Sequence, residues 1–274
     1  RKKEKWKPYL DYVLKEQEWL KEHQEQELKE IRSKDGLTLR AAYIPRENAK
    51  GTIICMHGYH STNDIEFVPE VRFLWNLGYS ILLPWQRSHG KSEGRYITYG
   101  VKERHDLKRW ILYTNRHLAA KNKDIFLCGI SMGCATTLMA AGLDLPDNVK
   151  GIIADCGFTS PWDIIKHVAK ERFYLPPFPL MYMVDLISEV VAGFGLKEVS
   201  IPEIMKRNKI PVLFIHGDAD DYVPMWMTIK NYEACAAKKE LYIVSGAGHA
   251  LAFSKDMEEG KRRIKNFINK YKTI

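Results

Sequence analysis

Short apolar runs alternate with longer amphipathic stretches along most of the chain. Residues 37–44, 52–56, 79–83, 124–128, 151–154, 211–215 and 241–244 are the runs. Continuous runs this short, rich in Val, Ile and Leu, mark strands buried on both faces. Between them, 67–77, 101–117, 132–143, 225–237 and 254–270 repeat apolar positions at helical spacing. Such alternation predicts an α/β fold, with a mostly parallel central sheet and helices on both faces. Ahead of the first run, 4–30 is rich in Glu, Lys, Gln and Leu. Trp6, Leu10, Val13 and Leu20 recur there at helical spacing. An amphipathic helix packed on the body is expected, with Lys34-Asp35-Gly36 turning the chain into the first strand.

Residues 158–209 interrupt the alternation. They hold Pro161, Pro176, Pro177, Pro179 and Pro202, and the aromatics Phe173, Tyr174, Phe178, Tyr182 and Phe194. The stretch is too long for a plain connection between strands. It is read as a helical cap inserted over the carboxyl edge of the sheet, where open α/β folds place ligands. The expected organisation is a helix over 1–34, a core of 35–157 and 210–274, and the cap at 158–209.

Composition narrows the function classes. A chain of 274 residues, 45% of them hydrophobic, can bury a large core without disulfides or a structural metal. The net charge of +8 raises the question of nucleic acid. The excess lies mainly in 86–123, with ten Lys or Arg against three Asp or Glu, and in 254–274, with seven against three. No long basic run, zinc-finger spacing, RNP strand or basic zipper accompanies it, so nucleic-acid binding is set aside. The five cysteines show no CxxC spacing. They read as buried, reduced thiols, with no metal and no cofactor expected. The most apolar stretch, 180–196, is interrupted by Asp185 and Glu189, so no membrane span is expected. A cytoplasmic protein, monomer or homodimer, is the expectation. The chain begins at Arg1 rather than Met, which leaves open an anchor upstream of 1–7; a trimmed tag or unstructured start is the simpler reading.

The chemistry sits at strand ends. Gly129-Ile130-Ser131-Met132-Gly133 follows a strand and opens a helix. This is the setting of a nucleophile elbow, in which small residues let a tight turn aim the serine out of the sheet. A serine hydroxyl needs a base, and the base needs an orienting acid. His249, in Gly246-Ala247-Gly248-His249, follows the last strand before the final helix and is the expected base. The acid comes from the loop after 211–215, where Asp220 is preferred over Asp218 and Asp221. The backbone N–H groups of Met132 and of Tyr59, in His57-Gly58-Tyr59, are the expected oxyanion donors. His57, His60, His89 and His216 read as structural or pocket-lining, and Glu103 and Asp106 as partners for nearby basic residues.

On these motifs the chain resembles the α/β-hydrolase superfamily over nearly its whole length. It is most similar to bacterial single-domain serine hydrolases of the esterase or S9-type peptidase-like group. That group carries HG-aromatic, R-x-H-G-x-S-x-G, GxSMG, D-C-x-F-x-S-P, H-G-x-x-D-x-x-V-P and G-x-G-H. Here these stand at His57–Tyr59, Arg87–Gly94, Gly129–Gly133, Asp155–Pro161, His216–Pro224 and Gly246–His249. The resemblance implies Ser131 as nucleophile, Asp220 as acid and His249 as base. One departure is Trp85, where the group usually has an acid two positions before the loop arginine. It puts the pocket's shape and electrostatics in question rather than the triad. The Arg87–Gly100 loop is read as a hydrogen-bonded scaffold.

The expected activity is hydrolysis of small to medium acyl esters through an acyl-enzyme. His60, Phe158, Phe173, Tyr174, Phe178, Met181, Tyr182 and Tyr222 are the candidate pocket residues. The basic surface beside the catalytic edge suggests a preference for acidic esters. A small peptidase or aminopeptidase, a thioesterase, and a non-catalytic binding protein are the alternatives.

Overall fold

The structure, a computed structural model, describes residues 2–24, 27–118 and 123–273. The side chains of Trp6 and Leu10 lie outside the described ones. The described strands are β1 (Leu28–Arg32), β2 (Thr38–Ile44), β3 (Gly51–Met56), β4 (Ser80–Pro84), β5 (Asp124–Ile130), β6 (Val149–Asp155), β7 (Val212–Gly217) and β8 (Lys239–Val244). They form one sheet in the order β1-β2-β4-β3-β5-β6-β7-β8. β2 pairs antiparallel with β1 and with β4, and every other pairing is parallel.

Two apolar layers sandwich the sheet, because successive side chains of a strand point to opposite faces. In β5, Ile125 and Leu127 join one layer, while Phe126 and Cys128 join the other. The first layer is closed by α4 (Glu103–Tyr113), α5 (Met132–Ala140), α8 (Ile201–Met205) and α9 (Met225–Ala234), through Trp110, Leu138, Met205 and Met227. The second is closed by α1 (Lys2–Gln24), α3 (Val68–Asn76) and α11 (Met257–Tyr271). Leu20, Leu74, Ile264 and Phe267 fill it, each such side chain contributing roughly 1.5–3 kcal/mol on burial. The N-terminal helix packs on its own chain: Tyr12 Oη donates to the Pro69 carbonyl at 2.8 Å, and the Trp19 and Trp75 rings meet edge to face at 5.6 Å.

Two element expectations change. The helix read over 4–30 stops at Gln24, and Leu28–Arg32 is a strand. Five residues of alternating exposure carry too little periodicity to stand out beside a long Glu/Lys-rich helix. The final helix is also split, into α10 (Ala252–Lys255) and α11. Asp256, at φ −138° and ψ 68°, breaks it, and its carboxylate accepts the Tyr242 hydroxyl at 2.9 Å.

Between β6 and β7 the chain forms α6 (Pro161–Phe173), α7 (Pro177–Ile187), a π-helical turn (Ser188–Ala192) and α8. Ser160 starts α6 by accepting the Asp163 amide at 3.0 Å. Among the described residues no helix is long and apolar enough to cross a membrane.

Candidate active site

Ser131 lies between β5 and α5 with φ +54° and ψ −116°. A serine in this region is strained, and the surrounding packing holds it there. The turn leaves no space around it. A Cβ on Gly133 would lie 1.8 Å from the Met56 carbonyl oxygen, and one on Gly129 would lie 2.4 Å from that of Gly133. The spacing GxSxG is therefore a steric requirement of this turn. The N-terminus of α5 sits directly behind the hydroxyl, where its free amides favour negative charge.

His249 meets Ser131 from the loop after β8. Its Nε2 is 2.9 Å from Ser131 Oγ, and its Nδ1 is 2.8 Å from Asp220 Oδ2. A carboxylate only accepts, so the imidazole proton resides on Nδ1 and Nε2 accepts the serine hydroxyl. Asp220 is buried at the turn after β7. Its Oδ1 accepts the amides of Tyr222 and Val223, both at 2.9 Å, and its Oδ2 also faces His216 Nε2 at 3.3 Å. Burial pushes the Asp220 pKa up, but hydrogen bonds from His216 and His249 outweigh it, and the carboxyl is held well below the usual carboxylate range. Asp218 instead accepts the Gly246 amide at 2.6 Å. Asp221 is exposed and meets Arg172 at 3.4 Å.

His57, His89 and His216 are placed as structural groups. His57 Nδ1 donates to the Gly58 carbonyl at 2.8 Å, and its Nε2 accepts the Gln86 amide at 3.0 Å. His89 Nδ1 donates to the Arg87 carbonyl at 2.9 Å, and its Nε2 accepts the His60 amide at 3.2 Å. Both rings are thereby neutral scaffolds of the 57–60 loop, and burial lowers the His89 pKa further. His216 Nε2 donates to the Val223 carbonyl at 2.9 Å, and its Nδ1 contacts the Thr228 hydroxyl at 2.7 Å. It braces the turn that carries Asp220, a role the sequence reading left unassigned.

The 57–60 loop passes against the nucleophile: a Cβ on Gly58 would lie 3.3 Å from Ser131 Cβ. The Gly58 amide donates to Glu66, whose pKa burial raises to about 7. The Tyr59 amide donates to no protein acceptor among the described residues. It lies on this loop, as the Met132 amide lies at the head of α5.

A cavity of about 230 Å³ opens beside Ser131. Ile164, Ile165, Val168, Ala169 and Phe173 of α6 form one wall, and Tyr59, Tyr99, Met132, Phe158, Tyr222 and Val223 form the rest. Of the candidate pocket residues, Phe158, Phe173 and Tyr222 line it. His60 lies on an adjoining groove. Met181 is buried in the apolar layer, and Tyr174, Phe178 and Tyr182 face solvent. α7 turns outward, so its aromatics do not reach the cavity. Phe173 is the one α6 residue named from the sequence for the pocket; Ile164, Ile165, Val168 and Ala169, which share one face of the same helix, are not.

Trp85 is buried. Its ring lies under Gly90, at φ +50°, where an added Cβ would fall 2.2 Å from Cδ1. The loop beyond is held as the scaffold reading expects. Arg87 pairs with Asp106 at 2.6 and 2.8 Å and with Asp35 at 2.8 and 3.1 Å. Glu103 accepts the amides of Thr98 and Gly100.

Cys156, Asp220 and His249 place ligand-type atoms within 4.8 Å of one another. The set suits a metal poorly. The His249 Nδ1 proton points at Asp220, and burial pushes the Cys156 thiol pKa well up, so it stays neutral.

A family model described as the prolyl oligopeptidase family, Peptidase_S9, matches residues 92–273. The uncharacterised protein YqkD of Bacillus subtilis is 28% identical over 239 residues, covering 87% of this chain and 78% of that one. The uncharacterised protein YfhR of Escherichia coli K12 is 26% identical over 230 residues, covering 82% and 74%. Among solved structures, the esterase Pf2001 of Pyrococcus furiosus superposes with a TM-score of 0.72 at 26% identity, covering 89% of this chain and 92% of that one.

Proposed function

Since the chain belongs to the prolyl oligopeptidase family of the α/β-hydrolase superfamily, we propose that it is a serine hydrolase of carboxylesterase type, cleaving small to medium acyl esters. The observation that carries this reading is the unbroken hydrogen-bond path from Ser131 Oγ through His249 to Asp220, at 2.9 and 2.8 Å. The esterase fold of the Pyrococcus relative supports it.

In the proposed mechanism Ser131 Oγ attacks the ester carbonyl carbon while its proton passes to His249 Nε2. Asp220 stabilises the resulting imidazolium. The amides of Tyr59 and Met132 receive the oxyanion; losing one such donor typically costs about 3 kcal/mol in the barrier. The tetrahedral intermediate collapses by breaking the bond to the alcohol oxygen, which takes the proton from His249. Water, deprotonated by His249, then attacks the acyl-serine, and the acid leaves as Ser131 regains its proton. Residues 158–209 serve as a cap whose α6 forms the acyl wall.

The test is turnover of p-nitrophenyl esters from acetate to laurate by wild type and Ser131→Ala, with fluorophosphonate labelling. Wild type is expected to turn over esters and take the label, and Ser131→Ala to do neither. Ester turnover that survives Ser131→Ala would falsify the nucleophile assignment. The family match also supports a second reading, a small peptidase. Aminoacyl-naphthylamide cleavage faster than that of any ester would favour it.

A further inference from the structure

The backbone around Gly58 is clamped on both sides. The His57 carbonyl accepts Gln86 Nε2, and the Gly58 amide donates to Glu66 Oε2. The Gly58 carbonyl accepts His57 Nδ1 at 2.8 Å and the Ser61 amide at 3.4 Å. The His60 amide donates to His89 Nε2 at 3.2 Å. In a planar trans peptide the N–H points away from the C=O of the same unit. Holding the Gly58 carbonyl therefore fixes the direction of the Tyr59 amide, which donates to no protein acceptor among the described residues.

His57, Gln86 and His89 are buried members of this clamp. Glu66 is its carboxyl. It ends the short helix α2 (Asn63–Glu66), whose single turn is closed by the Glu66 amide donating to the Thr62 carbonyl at 3.0 Å. Phe67, next in the chain, is fully buried and anchors that end of the turn. The carboxyl is thereby brought back against the loop. A Cβ on Gly58 would lie 2.9 Å from Glu66 Oε1 and 3.3 Å from Ser131 Cβ, so carboxyl and nucleophile flank the space left by that glycine's missing side chain. Glycine has the widest backbone freedom of any residue, so its orientation here depends on the bonds that hold it. Glu66 supplies the acceptor for its amide. Burial raises the Glu66 pKa to about 7, and the neutral carboxyl sets no full charge against an oxyanion developing nearby.

We propose that Glu66 is a positioning residue for ester hydrolysis: by holding the Gly58 amide it aims the Tyr59 amide at the oxyanion formed at Ser131. The inference rests on the serine-hydrolase reading.

The test compares the full chain with its Glu66→Gln, Glu66→Ala and Glu66→Asp variants on p-nitrophenyl butyrate. Gln keeps a carbonyl oxygen at the same reach, Ala removes the acceptor, and Asp withdraws it by one methylene. Glu66→Ala and Glu66→Asp are expected to lower kcat about a hundredfold with KM within about threefold of wild type. Glu66→Gln is expected to stay within about threefold in both. Titration of active sites with a fluorophosphonate corrects kcat for any unfolded fraction, and Glu66→Asp carries the test if Glu66→Ala does not fold. The second readout is inhibition by an alkyl trifluoromethyl ketone, whose hemiketal oxyanion takes the place of the reaction's own. Its Ki should rise about a hundredfold in the Ala and Asp variants and stay near wild type in Gln. A role confined to stability would lower the number of active sites and leave Ki unchanged, which overturns the proposal. Wild-type kcat in the Ala or Asp variant, or a Gln variant as impaired as Ala, also overturns it and leaves the hydrolase reading standing. A wild type that neither turns over any ester nor takes the fluorophosphonate overturns the hydrolase reading, and the proposal with it.

Discussion

Three carboxylates follow β7 within four residues, and their surroundings separate them. Asp220 has no exposed side-chain surface and receives two amides and two imidazole nitrogens. Asp218 ties the His249 loop through Gly246, and Asp221 is 84% exposed. Under the proposed mechanism Asp220→Asn places the wrong tautomer on His249 and lowers kcat by about four orders of magnitude. Asp218→Asn and Asp221→Asn stay within about tenfold of wild type, because neither touches the ring. Steady-state kinetics on one p-nitrophenyl ester checks the series. The preference for Asp220 was legible from its place in H-G-x-x-D-x-x-V-P. The brace from His216 was not, since it depends on a turn bringing residues 216 and 220 to 3.3 Å. Trp85 shows the same limit: the sequence marks it as a departure, but only packing reveals that Gly90 closes over its ring.

At the scale of elements, the strands and their order along the chain were readable because buried parallel strands are short, continuous and apolar. Their order in the sheet was not readable, because an apolar run does not record which strand it lies beside. β1 was hidden because three of its five residues are charged. Of the pocket residues named from the sequence, Phe158, Phe173 and Tyr222 line the cavity, whereas those on α7 do not. Phe178 and Tyr182 look like pocket residues by composition, yet α7 presents them outward, and the smaller side chains of α6 form the wall. Composition does not record which face of a helix points inward. The α6 wall sets a length limit. Ala169→Leu adds volume to the cavity wall, so it should shift the preferred acyl chain shorter. Activity on octanoate is expected to fall about tenfold or more relative to acetate, read as the ratio of kcat/KM across the ester series.

At the scale of the whole molecule, several acids are buried behind the site. Burial raises the pKa of Glu66 from 4.5 to about 7 and that of Asp155 from 3.8 to about 6, and it raises Glu70 well above the usual carboxylate range. A folded carboxyl with a raised pKa binds its proton more tightly than the unfolded chain does. Its contribution to stability is full below the unfolded pKa and lost as pH rises through the folded one. For Glu66 that window runs from about 4.5 to about 7. Urea denaturation of wild type against Glu66→Gln should show wild type losing stability relative to the variant across it. An equal offset at every pH would exclude Glu66 as the source.

The sheet itself has a further consequence. Its outer edge at β1 is an open row of backbone donors and acceptors, the kind of template on which strands of other molecules stack. Here that edge carries Lys29, Glu30 and Arg32, and Glu30 is tied sideways to Arg40 at 3.1 Å. An incoming strand would have to strip water from these groups without offering them partners. The same charges that hid β1 from pattern reading thus disfavour the addition of another strand at this edge.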